Sequence, residues 1–260
     1  MSAMTPQIAP SAAARVNPVA KLGAALVISV TLLLSVDIVS ASVALVLTLA
    51  LVAFAGLRAR SFWIRTAPVW FAAPFAAITT ILYGEDSGAQ VAQLGIATIS
   101  EGSLLLGVAI MLRVLAIGIP GVVLMATTDP TELADGLSQV ARLPARFVLG
   151  GLAGMRMIGL FIDDWRAMAR ARRARGVADT GAIRRFASQA FALLVLAIRR
   201  GSKLATAMEA KGFGAASTRT WARESTFGWP ETLLVGIGVV IAGAAVVSAV
   251  IAGTWSFVLG

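Results

Sequence analysis

The chain contains no cysteine and no histidine. The first absence removes disulfides and thiol nucleophiles, and the two together remove the usual zinc ligands and the imidazole general base. Any catalysis would have to rest on carboxylates, lysines or hydroxyls. Charge is also scarce: 13% of the residues are charged, against roughly 25% in a soluble domain. There is no Gly-rich loop ending in Gly-Lys-Ser/Thr, the phosphate-cradling pattern of an NTPase. What is abundant is apolar surface, with 58% hydrophobic residues and a mean hydropathy of +0.86. The fold class expected is an all-α polytopic membrane protein.

Five apolar stretches carry that expectation. Residues 22–36 and 38–57 form one block interrupted only by Asp37, too long for a single span of about 20 residues, so two helices turn near Asp37. A third covers 67–83, where Pro68 and Pro74 suggest a bent or ragged start. The fourth, 102–126, carries Arg113 and Pro120; the last runs over 233–250, with room to continue to Phe257.

The loops sort by charge. Arg15 and Lys21, then Arg58, Arg60 and Arg65, then 16 of the 22 Lys and Arg in 129–232 fall on alternate loops. The remaining loops hold only Asp37, or Glu85, Asp86 and Glu101. By the positive-inside rule the N-terminus and 127–232 are cytoplasmic, and the C-terminus is outside. The expected organisation is an N-terminal tail (1–21), a four-helix membrane domain (22–126), a cytoplasmic domain (127–232) and a final transmembrane helix (233–257). Residues 1–41 also resemble a secretory leader with a passable cleavage site at Val39, Ser40 and Ala41. The second apolar stretch follows at once and the topology needs the first, so the first is expected to stay.

The cytoplasmic segment opens with a short helix to about Ala141, which Pro130 begins and Thr128 or Asp129 caps. Leu143 and Pro144 break the chain. A long helix follows from Ala145 to Arg175, with an apolar stripe of Val148, Leu152, Met155, Ile158, Ile162, Trp165 and Met168 at steps of three and four. Another runs from about Ile183 to Lys211. Its apolar middle, 191–198, is too short to span a bilayer. The two long helices end alike: Ala174, Arg175 and Gly176, then Ala210, Lys211 and Gly212, 36 residues apart. A cation in the last turn with glycine just after it is a general helix stop, and the charge alone stabilises a helix by about 0.3–1 kcal/mol. Its duplication at matched ends points further, to a pair of cationic plugs for acidic grooves on another protein. A basic face resting on anionic lipid is the other reading of 166–175.

Residues 127–147 (TTDPTELADGLSQVARLPARF), 156–176 (RMIGLFIDDWRAMARARRARG) and 207–214 (AMEAKGFG), with Asn17 to Leu22 as the approach to span one, resemble the transmembrane (T) component of energy-coupling factor transporters, the EcfT/CbiQ-like family of ABC-type importers. The resemblance implies about five transmembrane helices and long cytoplasmic coupling helices that cross. It implies two ABC ATPase subunits, which hold ATP and magnesium and receive the two motif ends, with Arg172 and Arg173 in support. It also implies a membrane-embedded substrate-binding (S) component on the coupling helices, in a bacterial cell membrane. No cofactor, catalytic residue, metal site or nucleic acid is expected on this chain. Lys211 departs from the family's usual arginine, keeping the charge without the planar fork of donors. The run RTWAR at 219–223 resembles members associated with uptake of a thiamine precursor.

Other residues allow other functions. Arg113, in mid-span, is expected to face protein or water, as a contact to the S component or bonded to backbone carbonyls or an acid near a span end. Asp163 and Asp164 are the acids an intramembrane prenyltransferase-like enzyme would use, although the second acidic cluster such enzymes carry is missing; offsetting Arg166 is the simpler role. Glu209 is expected to bond along its helix or across to the other long helix. A standalone permease is the third possibility.

Overall fold

The computed structural model describes residues 16–54, 59–84, 87–94, 97–176, 181–214 and 220–255. Eight helices and one hairpin follow in order: α1 (Pro18–Leu33), α2 (Ile38–Phe54), α3 (Ala59–Tyr83), β1 (Gln90–Leu94), β2 (Ala97–Ser100), α4 (Glu101–Thr127), α5 (Pro130–Gln139), α6 (Ala145–Ala174), α7 (Ala182–Ala210) and α8 (Trp229–Ile251). The architecture is that of a helical polytopic membrane protein. By length and composition α3, α4, α6 and α8 are long and apolar enough to cross a membrane, and α1 and α2 are shorter apolar helices of 16 and 17 residues. The chain divides into two compact units, residues 137–224 and the described parts of 5–136 with 225–260.

In the larger unit, the turn near Asp37 is a built N-cap. The buried carboxylate accepts from the Ser40 amide and from the Ser40 and Ser35 hydroxyls, each at 2.6 Å. It thereby holds the first donors of α2, which would otherwise be orphaned. The core is formed by Ile28 and Leu32 of α1, Ala44 and Leu45 of α2, Ala73 of α3, Leu115, Ala116 and Ile119 of α4, and Ile241 and Ala245 of α8. Small residues set how closely these helices pack. A Cβ on Gly238 would lie 2.9 Å from Ala24, and on Gly118 2.6 Å from Val69. Close approach falls on Gly238 alone within 236–243, because Gly236 and Gly243 face open space.

Two expectations from the sequence change. The third span is one 25-residue helix that passes through Pro68 and Pro74 and begins at Ala59, so Arg60 and Arg65 are helical. The helix also absorbs residues read as an interhelical loop. The last helix begins at Trp229, because the Glu231 carboxylate turns back to accept from the Gly228 amide at 2.8 Å and Pro230 supplies a fitting first turn. Between α3 and α4, where no element is expected from the sequence, the β1–β2 hairpin pairs Gln93 with Thr98 and leads into a Ser100–Ser103 capping box on α4.

The starts of α1 and α8 and the first part of α5 meet at one polar knot. Asn17 caps α1 through the Val19 amide at 3.0 Å. Its side-chain amide donates to Ser225 Oγ and the Thr226 carbonyl, both at 2.8 Å, and its backbone amide donates to Glu231 Oε1 at 3.2 Å. Gly136 of α5 fits against this cluster: an added Cβ would stand 2.6 Å from Val19 Cγ2 and 3.0 Å from Asn17 Oδ1. Two predictions follow from that closeness. Asn17→Ala lowers stability by about 1–2 kcal/mol through loss of the cap, and Gly136→Val by about 1–3 kcal/mol through overpacking. Thermal unfolding of the purified protein in detergent measures both as a lowered midpoint.

Candidate functional site

The two tripeptides close α6 and α7 with the same backbone geometry. Arg175 is the C-cap of α6 with φ −92° and ψ 2°, and Lys211 that of α7 with φ −87° and ψ 9°. Each is followed by a glycine in the left-handed region, Gly176 at φ 68° and Gly212 at φ 77°. The Gly176 amide donates to the Arg173 carbonyl at 3.1 Å, and the Gly212 amide to the Glu209 carbonyl at 2.9 Å. After Gly212 the Phe213 amide donates to the Met208 carbonyl at 2.9 Å, completing a Schellman motif. Nothing stands within 4 Å of a Cβ built on either glycine. It is therefore the positive φ, not crowding, that requires glycine at both ends.

Ala174, Arg175, Ala210 and Lys211 are all exposed. Each tip is thus a short methyl beside a cation, on a helix end whose last carbonyls carry negative partial charge. The small neighbour leaves each cation sterically open.

The supporting residues separate. Arg172 donates through Nη2 to Ser188 Oγ of α7 at 2.9 Å, whereas Arg173 turns back on the Ala169 carbonyl of its own helix at 3.4 Å. Glu209 contributes its backbone carbonyl, and its exposed carboxylate meets neither its own helix nor α6 among the described residues, contrary to expectation. Asp163 does lie 3.8 Å from Arg166, both well exposed. Asp164 instead reaches Arg200 of α7, with Nη1 2.6 Å from Oδ2. Its carboxylate is thus committed to a cation, and no cluster of three or more metal-ligating side chains occurs among the described residues. Arg113 is half-buried in α4, within electrostatic reach of the Asp37 carboxylate.

The long apolar stripe of α6 is not buried on α7 as a whole. Met155 and Ile158 stay exposed, as do Phe191, Leu194, Val195 and Ile198 of α7. Only the part around Trp165 meets α7, where its ring lies edge-on to Phe186 at 5.4 Å and its carbonyl accepts from Gln189 Nε2 at 2.7 Å.

One pair of cations had been counted only as topological markers. Lys21 of α1 donates to the Thr127 carbonyl at 3.1 Å, and Arg65 of α3 donates to the Ala126 carbonyl at 2.8 Å. Two side chains from separate helices therefore satisfy the last carbonyls of α4, immediately before the TTDP run. There Asp129 caps α5 by accepting from the Thr131 amide at 2.6 Å. Their one-sided placement was legible in the sequence, but their shared acceptor was not.

A set of packed apolar helices, with a helical unit that carries two exposed cationic C-caps, defines a multi-pass membrane protein. The comparisons give the family. The profile of the CbiQ family, described as cobalt transport protein, matches residues 10–221. The energy-coupling factor transporter transmembrane protein EcfT of Limosilactobacillus fermentum is 28% identical over 159 residues, which cover 56% of this chain and 60% of that protein. EcfT of Bacillus subtilis is 28% identical over 167 residues, covering 60% of this chain and 63% of that one. EcfT of Streptococcus equi is 26% identical over 239 residues, covering 87% and 88%. The chain belongs to the CbiQ family.

Replacing either left-handed glycine tests whether the two ends are equally built. Gly176→Ala and Gly212→Ala each cost about 1–2 kcal/mol at the cap. The expected readout is faster amide hydrogen exchange confined to the last turns of α6 and α7 respectively.

Proposed function

We propose that this chain couples two ABC ATPase subunits to a membrane-embedded S component, passing their ATP-driven motion into the bilayer so that a captured micronutrient is released inside. The observation that carries the reading is the pair of exposed cationic C-caps with matching backbone geometry. The tips formed by Ala174, Arg175 and Gly176 and by Ala210, Lys211 and Gly212 each enter an acidic groove on one ATPase subunit, which holds the ATP and magnesium. The relatives named EcfT support the assignment of partners. The exposed apolar residues of α6 and α7 supply a surface for the S component and the inner leaflet.

The reading needs 127–232 on the cytoplasmic side, with α1, α2, α3, α4 and α8 as the five spans. Although α6 is apolar enough to cross, crossing would carry Arg166, Arg170, Arg172, Arg173 and Arg175 to the outer face. The apolar middle of α7 is too short to bring the chain back. Charge placement therefore favours an α6 lying along the inner membrane surface, with the N-terminus inside and the C-terminus outside.

Cargo choice belongs to the S component. The RTWAR run at 219–223 supports a thiamine precursor, and labelled hydroxymethylpyrimidine uptake measured beside cobalt uptake decides between that class and the metal of the family's name. For the coupling role, Arg175→Ala lowers ATP-driven uptake in the reconstituted complex by about tenfold or more, in keeping with loss of a charge-assisted contact of about 1.5–3 kcal/mol. Lys211→Arg retains full uptake. Unimpaired uptake with Arg175→Ala would overturn the reading.

A further inference from the structure

Asp164 and Arg200 form an ion pair that joins α6 to α7, in addition to the bonds from Arg172 to Ser188 and from Gln189 to the Trp165 carbonyl. Besides the contact between Nη1 and Oδ2, Arg200 Nη2 donates to Asp164 Oδ1 at 3.1 Å. The Asp164 side chain is only 20% exposed and that of Arg200 38%. A partly covered ion pair that carries a directed hydrogen bond fixes direction as well as distance, unlike a mobile surface contact.

Its place in the two helices is the informative feature. Asp164 stands 11 residues before Arg175, and Arg200 stands 11 residues before Lys211 (175 − 164 and 211 − 200). At 1.5 Å per residue each cationic cap is about 16 Å along its helix from the ion pair. Eleven residues are also close to three full turns, so each cap leaves its helix on nearly the same side as the ion-paired residue. The pair marks the point from which both arms have equal length and matching phase.

A second contact lies beside this point, and a third, from Arg172 to Ser188, lies nearer the end of α6. Gln189 of α7 holds the carbonyl of Trp165, the neighbour of Asp164. Gln189 and Arg200 are themselves 11 residues apart, on one face of α7 and about 16 Å from each other. Two adjacent residues of α6 are therefore gripped from both sides of that face. Sliding α6 in either direction breaks one of the two bonds.

We propose that Asp164 and Arg200 are positioning residues: their ion pair is the pin between α6 and α7 that fixes the separation of the Arg175 and Lys211 tips, and so sets how much transport each ATP hydrolysed produces. The proposal rests on the coupling role given above. It predicts that breaking the pair leaves the tips attached to their partners but lets the angle between the arms wander, so that ATP hydrolysis continues while transport falls.

The absence of cysteine makes the test direct. Ala171→Cys and Ala207→Cys, exposed and each four residues before a cap, carry spin labels in the full chain assembled with its partners. The unmodified pair should give one narrow distance distribution. Asp164→Asn or Arg200→Gln should broaden it and lower transport per ATP by about tenfold, the scale on which small misplacement costs rate, with ATPase activity and assembly retained. Arg200→Lys, keeping the charge without the fork, should fall between. Exchanging the charges, Asp164→Arg with Arg200→Asp, should restore both the narrow distance and the ratio. An unchanged distribution in the single variants overturns the proposal. So does a charge exchange that restores assembly without restoring the distance, since the pair would then serve stability alone. Failure of the coupling reading is separate: distances would still respond to the pair, while Arg175→Ala left uptake intact.

Discussion

Helix ends are the constraint on which the rest of this structure depends. Every helix leaves unpaired amides at its start and unpaired carbonyls at its finish, and apolar surroundings make each unpaired group expensive. In the larger unit these groups are satisfied by few side chains, each placed to serve more than one element. Asn17 caps α1 while donating to Ser225 and Thr226 ahead of α8. Glu231 caps α8 through the Gly228 amide while accepting from the Asn17 amide. Lys21 and Arg65 close α4 from two different helices. The helices are consequently fastened at their ends by polar bonds and along their lengths by small-residue contacts such as Gly238 on Ala24.

The smaller unit treats its helix ends differently. At Arg175 and Lys211 the last carbonyls are satisfied by the chain's own turn through glycine, and the cations remain on the surface. A side chain employed to close its own helix is not available to a partner. Giving the capping work to backbone amides leaves both cations uncommitted at the surface. The same economy explains why the neighbouring arginines are spent nearby, Arg172 on Ser188 and Arg173 on Ala169.

What the sequence made legible follows from which interactions are local. The limits of α6 and α7 could be read to within a residue, because Pro144, Gly176 and Gly212 act on adjacent backbone. The turn at Asp37 was legible for the same reason. The Asp164 partner was not: Asp163 and Asp164 both lie near Arg166 in sequence, yet Asp164 turns to Arg200 of α7, 36 residues on. Nor was the incomplete burial of the α6 stripe, since periodicity shows that a face is apolar without saying what covers it. Arg60 and Arg65 were read as loop charges because charge suggests a loop; at a helix end nearest the water they are compatible with a continuous α3.

The contrast between the two units bears on why a charged pair, and not a larger apolar contact, joins α6 to α7. A broad apolar interface resists sliding poorly, because one set of methyl contacts replaces another at small cost. A hydrogen-bonded ion pair has one good geometry and loses most of its energy when displaced. Where two helices must stay in one arrangement while their apolar faces remain exposed, specificity matters more than area. The exposure of Ile158 and Leu194 and the small contact around Trp165 are then two sides of one arrangement: α6 and α7 touch over little surface because most of that surface is kept for something else.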